Sequence, residues 1–170
     1  MFPVKKILCP VDFSRPSIEA LKAAGELAQQ YSAEMILVHV VQPVHPVPAP
    51  GVPAGFAIQD YYDERIAAAR KSFDEIVAEK IPKGVAVRTK VVRGQAADEI
   101  VREAESEGVD IIVTATHGWT GWRRFVFGSV AEKVIRLASC PILTIPGPAR
   151  GRGEAAISEQ KKQRDSLTGS

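Results

Sequence analysis

The stretch ATHGWTGWRRFVFGS, residues 115–129, holds the residue types best suited to chemistry in this chain. Gly118 and Gly128 bracket nine residues, and Ser129 follows the second glycine. Glycine lets a ligand approach the backbone with no Cβ in the way. Gly128 and Ser129 stand where a helical pattern opens. The first amides of a helix have no internal partner, and the macrodipole adds about half a positive charge there. The Ser129 hydroxyl can cap the helix or meet a phosphate oxygen. Such a glycine turn facing a helix N-terminus is an anion cradle. The same residues also make an ordinary strand-to-helix turn with a serine N-cap, and alone they do not decide between the two. No G-x-x-x-x-G-K-[ST] occurs, and no lysine lies within 115–129, so rapid ATP turnover of the P-loop kind is not expected.

The second chemical stretch is CPVDFS, residues 9–14. Asp12 can orient a ribose hydroxyl or help hold a magnesium ion through a phosphate; otherwise it is a carboxylate favoured near a helix N-terminus. Ser14 has no histidine–acid relay in reach and is not expected to be a nucleophile. His117 can meet a phosphate, but no cysteine or carboxylate beside it completes a zinc set. His39 sits inside a strand pattern and reads as a satisfied core histidine, and His45 as a solvated one. Arg123 and Arg124 either neutralise phosphates or face water. Trp119 and Trp122, if exposed, mark a partner surface or a cover over a base. Cys9 and Cys140 have no CxxC spacing and read as small buried hydrophobes. No catalytic set and no metal site is expected.

These residues need elements to position them. KKILCPV (5–11) reads as a buried strand, and EMILVHVV (34–41) as a second, apolar throughout as a strand covered on both faces is. Between them Ile18, Leu21, Ala24, Ala28 and Tyr31 share one helical face, with Pro16 suited to the first turn. Five prolines in 42–55 exclude regular structure there. A helix is expected over 59–81, with Tyr62, Ile66, Ala69, Phe73, Ile76 and Val77 inward. VAVRTKVV (85–92) alternates, as in a strand with one wetter face at a sheet edge. Residues 96–107 form a helix closed by Gly108. VDIIVTAT (109–116) is the fourth strand, 129–138 a helix and PILTI (141–145) the fifth strand.

A βαβαβαβαβ order gives a parallel sheet with helices on both faces. The expected fold is α/β: a three-layer doubly wound sandwich, a five-stranded parallel sheet in order 3-2-1-4-5, Rossmann-like or flavodoxin-like. Ligands of open α/β sheets sit beyond the carboxyl ends of the strands where the winding reverses, here beside strand 1. CPVDFS and TATHG (114–118) end the two strands that flank that reversal, so motifs far apart in sequence meet at one crevice.

The 170 residues suit one domain, with 45% hydrophobic and 25% charged side chains. Residues 1–146 are read as that domain and 147–170 as a disordered polar tail. The tail's five basic and three acidic side chains account for the whole net charge of +2, too little to argue for a nucleic-acid or membrane partner. No stretch approaches the ~20 apolar residues of a membrane span, and MFPVKKILCP is too short an apolar run for a signal peptide. A cytoplasmic location is the expectation.

The chain resembles the universal stress protein family. The family signature runs Gly, two residues, Gly, nine residues, Gly, then Ser or Thr. The same frame reads Ala115, Gly118, Gly128, Ser129, with alanine at the first glycine. KKILCPVDFS, ILVHV, GVDIIVTATHG and GSVAEKVIRLASCPILTI fit the family in its order, covering about residues 3–146. The resemblance implies an ATP-binding domain that dimerises, often through its last strand, here Pro141 to Ile145, and acts in stress response. It implies that Pro10, Val11, Asp12 and Val40 line the adenine and ribose end. Thr114, Ala115 and Gly118 then follow the ribose and phosphates, and Gly128, Ser129, Val130 and Ala131 hold the phosphates through backbone amides. ATP, ADP or AMP would fit such a site. Some family members bind no nucleotide, and the alternative is an interaction and dimerisation module of the same fold. Ala115 and Trp119 favour that alternative; Gly118, Gly128 and Ser129 oppose it. A nucleotide hydrolase would need a general base that is not evident. A receiver domain would need clustered acids and a late lysine, and a flavodoxin a Ser/Thr-rich loop; neither is present.

Overall fold

The computed structural model describes residues 4–44, 54–116 and 128–147, with 54–57 by backbone alone. The elements run β1 Lys6–Pro10, α1 Arg15–Tyr31, β2 Glu34–Val41, α2 Ala54–Lys80, β3 Val87–Arg93, α3 Ala96–Glu107, β4 Ile111–Ala115, α4 Ser129–Leu137 and β5 Ile142–Ile145. The five strands form one parallel sheet in the order β3-β2-β1-β4-β5, as expected.

Alternation along each central strand feeds two cores. Ile7, Cys9, Met35, Leu37 and Val113 point to the face where α1 and α2 supply Leu21, Ala24, Ala28 and Phe73. Leu8, Ile36, Val38 and Ile112 point to the opposite face and meet Ala97, Ile100 and Ala104 of α3 and Val134 of α4. Strands buried on both sides explain the unbroken apolar runs in β1 and β2. Cys9 is fully buried and its thiol is pushed up to about 12 by loss of solvent, so it packs as a hydrophobe. Cys140 is only half-buried, at the rim of the second core, because it lies in the short turn into edge strand β5.

Caps set the helix ends. Ser14 accepts from the Ser17 amide at the start of α1, with Pro16 in the first turn. Gly108, at φ 59°, closes α3 in the left-handed conformation that glycine adopts without strain. Two expectations change. Helix α2 begins at Ala54 rather than 59, directly after the last proline of its segment; without a proline nothing removes its backbone donors. Ser129 does not cap α4: Gly128 does, and Ser129 is the first helical residue. The wetter face of β3 is open to water at the sheet edge, as expected, and its charged side chains also find partners. Arg88 pairs with Glu34 and Glu107, and Lys90 with Glu103 and Glu107, so α3 lines that face with carboxylates. Most of the proline-rich segment, residues 45–53 with His45, lies outside the described residues, as does the tail from 148 onward.

Candidate functional site

A cavity of about 250 Å³ opens at the carboxyl ends of β1 and β4, where the winding reverses. Ten of the eleven residues expected at the site border it: Pro10, Val11, Asp12, Val40, Thr114, Ala115, Gly128, Ser129, Val130 and Ala131. They come from four separate segments. Gly118, the eleventh, lies outside the described residues, with His117, Trp119, Trp122, Arg123 and Arg124.

The chain leaves the described sheet at Thr116 and returns at Gly128, and the Gly128 N–H donates to the Thr116 carbonyl at 2.8 Å. Thr116 itself donates through its amide to Ile145 O at 3.1 Å. Both ends of the intervening stretch are thus tied to the sheet beside the cavity. Gly128 has φ −57°, a conformation open to any residue, so this glycine is not required by its dihedral. Helix α4 makes its first backbone bond from the Glu132 amide to Gly128 O at 2.9 Å. The amides of Ser129, Val130 and Ala131 precede that bond, and all three residues border the cavity. Ala115 ends strand β4 and is not among the residues with positive φ, so its methyl costs nothing in backbone strain.

Across the opening, Asp12 is exposed and its Oδ1 accepts from the Ser14 amide at 2.9 Å. His39 is half-buried, with Nδ1 2.8 Å from the Val11 carbonyl, a satisfied histidine that also borders the cavity. Asp12 is the one carboxylate among the described lining residues, and none of them is lysine or arginine. What the described lining offers an anion is the opening amides of α4 and neutral polar side chains such as Ser129 and Gln42. No group of three or more histidine, cysteine or acidic residues among the described ones could hold a metal ion.

Sequence reasoning missed part of the lining. Ser14 and Ser17 border the cavity while their hydroxyls serve the α1 cap, Ser17 donating to Ser14 O at 3.0 Å. Ala96 and Ile100 enter from α3. Their signal was topological: a helix linking β3 to β4 must cross β2 and β1, which brings its first turn over the crevice. Gln42 lies just past β2, where the Val44 amide donates to the Tyr62 hydroxyl oxygen at 3.3 Å.

Residues 3–146 match the model of the universal stress protein family. The chain belongs to the universal stress protein family. Among curated relatives, universal stress protein MJ0531 of Methanocaldococcus jannaschii is 36% identical over 146 residues, 86% of this chain and 84% of the relative. The solved structure of MJ0577 from the same organism superposes with a TM-score of 0.72 at 30% identity, covering 87% of this chain and 99% of that one. A universal stress protein from Archaeoglobus fulgidus, solved in complex with dAMP, superposes at 0.58 with 23% identity over 85% of this chain and 99% of its own; that likeness carries the fold. As in those structures, this universal stress protein is a doubly wound α/β sheet; its own crevice lies beside β1. No helix among its described residues is long and apolar enough to cross a membrane.

Proposed function

We propose that this universal stress protein is a regulatory adenine-nucleotide-binding protein. It holds ATP, ADP or AMP in the crevice beside β1, acts in stress response as a cytoplasmic homodimer, and turns ATP over slowly or not at all. One observation carries the reading: residues from four distant segments, those the family resemblance names, border a single cavity that the first residues of α4 also line. The apolar side chains of Val11, Val38, Val40 and Ile100 suit a base, and Asp12 suits a ribose diol. The phosphates then meet the amides of Ser129, Val130 and Ala131. The dAMP complex of the Archaeoglobus relative supports an adenine nucleotide as the class of ligand. Asp12 also fits a magnesium ion held mostly by phosphates and water, since that ion commonly takes one or two carboxylates besides the phosphates of its ligand. No lysine or arginine among the described lining residues, and no second acid, stands ready to assist phosphoryl transfer.

The test is direct. The purified protein is denatured and its supernatant resolved by anion exchange, and the native protein is melted with and without millimolar ATP–Mg²⁺. Adenine nucleotide near one per chain, or a clear rise in melting temperature, is expected. Neither nucleotide nor thermal shift would leave a scaffold of the same fold acting through other surfaces.

A further inference from the structure

One imidazole grips the residues on both sides of Asp12. His39 Nδ1 lies 2.8 Å from the Val11 carbonyl oxygen. A carbonyl only accepts, so Nδ1 carries the proton and donates, in the neutral ring and in the protonated one. On the other side of Asp12, the Phe13 ring packs on the His39 ring at 4.7 Å between centroids and on Phe73 at 5.3 Å. Phe13 needs such a hold. Its φ of 61° lies in the left-handed region, where a bulky side chain is strained and persists only if the surroundings fix it. The β1–β2 ladder runs to Pro10 opposite Val38 and ends with the Val11 N–H bond to Val38 O at 2.8 Å. Past that point the turn is set by the His39 side chain and by the Asp12–Ser14 bond.

We infer that His39 is a positioning residue of the ligand site: through the Val11 carbonyl and the Phe13 ring it fixes the turn that presents the Asp12 carboxylate to the cavity. The inference rests on the nucleotide reading above, because the ribose diol is the group Asp12 would meet. His39 acts through Asp12, so its effect on binding vanishes when Asp12 can no longer accept both ribose hydroxyls.

A double-mutant cycle tests this with AMP as the probe. His39→Phe keeps a ring against Phe13 and loses the donor to Val11; His39→Asn keeps a donor near the Nδ1 position and loses the ring. His39→Phe is expected to weaken AMP binding about three- to tenfold, the range for one positioned hydrogen bond. It should have no further effect in Asp12→Asn, and His39→Asn should recover part of the loss. Both variants are carried through the cycle, so that either one failing to fold leaves the other to decide. An equal loss in both backgrounds, or no loss with Asp12 intact, overturns the inference. A ligand-free measurement stands beside it. The Ser14 amide, which donates to Asp12, should shift in the NMR spectrum of His39→Phe and exchange its hydrogen faster; an unchanged amide also overturns the inference. A wild-type protein that binds neither AMP nor ATP sinks the functional reading instead, and the Ser14 amide then decides whether His39 holds the turn.

Discussion

Ala115 stands where the family signature has its first glycine, and the structure shows that its methyl brings no backbone strain. The residue ends β4 in register with Ile145, and its backbone has no need of positive φ. Gly128 is also free of that need and borders the cavity, so in the proposed site its contribution is room for the ligand. This separates folding from binding in one variant. Gly128→Val adds a branched side chain at a position whose dihedrals valine accepts, and valine is a poorer helix cap than glycine by about 1 kcal/mol or less. The variant is expected to stay folded, lose a few degrees of melting temperature at most, and lose adenine-nucleotide binding by at least tenfold in calorimetry. Normal binding by Gly128→Val would show that phosphates do not pass this residue. The sequence places Ser129 at the first position of the helix over 129–138 and also offers it as the cap; the structure keeps the first and gives the cap to Gly128, one residue earlier.

At the scale of elements, legibility followed local punctuation. Helix α3 could be bounded at 96–107 because Gly108 closes it. Helix α2 was begun five residues late, because the proline run before it masked the point where donors become available. The alternation of β3 showed an edge strand, but not that its charged face meets α3; side-chain pairing between elements far apart in sequence leaves no local trace. That pairing has a pH signature. Arg88 first, then Lys90, holds the Glu107 carboxyl at about 2, below its ordinary value of 4.5. A depressed carboxyl pKa gives stability that is full above the unfolded value and is lost as pH falls through the folded one. Glu107→Gln is therefore expected to melt about 2–4 °C below the wild type at pH 7. The gap should hold down to about pH 5 and close between about 4.5 and 2. A gap that stays constant to pH 2.5 would mean that Glu107 acts through packing and not through its charge.

At the scale of the whole molecule, the sheet has one edge guarded by charge and one that is not. Edge strand β3 carries Arg88, Lys90 and Arg93. Edge strand β5 is Ile-Leu-Thr-Ile, with Leu143 exposed; Ile135 and Leu137 are exposed on α4. An unguarded apolar edge is a template for pairing with another chain, and a two-fold axis lets β5 pair with its own copy. The hydrogen-bond parity of β5 shows where to break such a dimer without harming the protomer. Pro141 and Ile145 aim their carbonyls at β4, accepting from Ile112 and Thr116, so Thr144 between them in the alternation aims its own N–H at the free edge. Proline at 144 removes an outward donor and leaves the β4 ladder whole, and Leu143 before it is already extended, as a residue preceding proline prefers. The wild type is expected to sediment as a dimer, and Thr144→Pro to keep its circular dichroism and sediment as a monomer at the same concentration. A variant that stays dimeric would place the two-fold interface elsewhere, with the exposed face of α4 the next surface to interrupt.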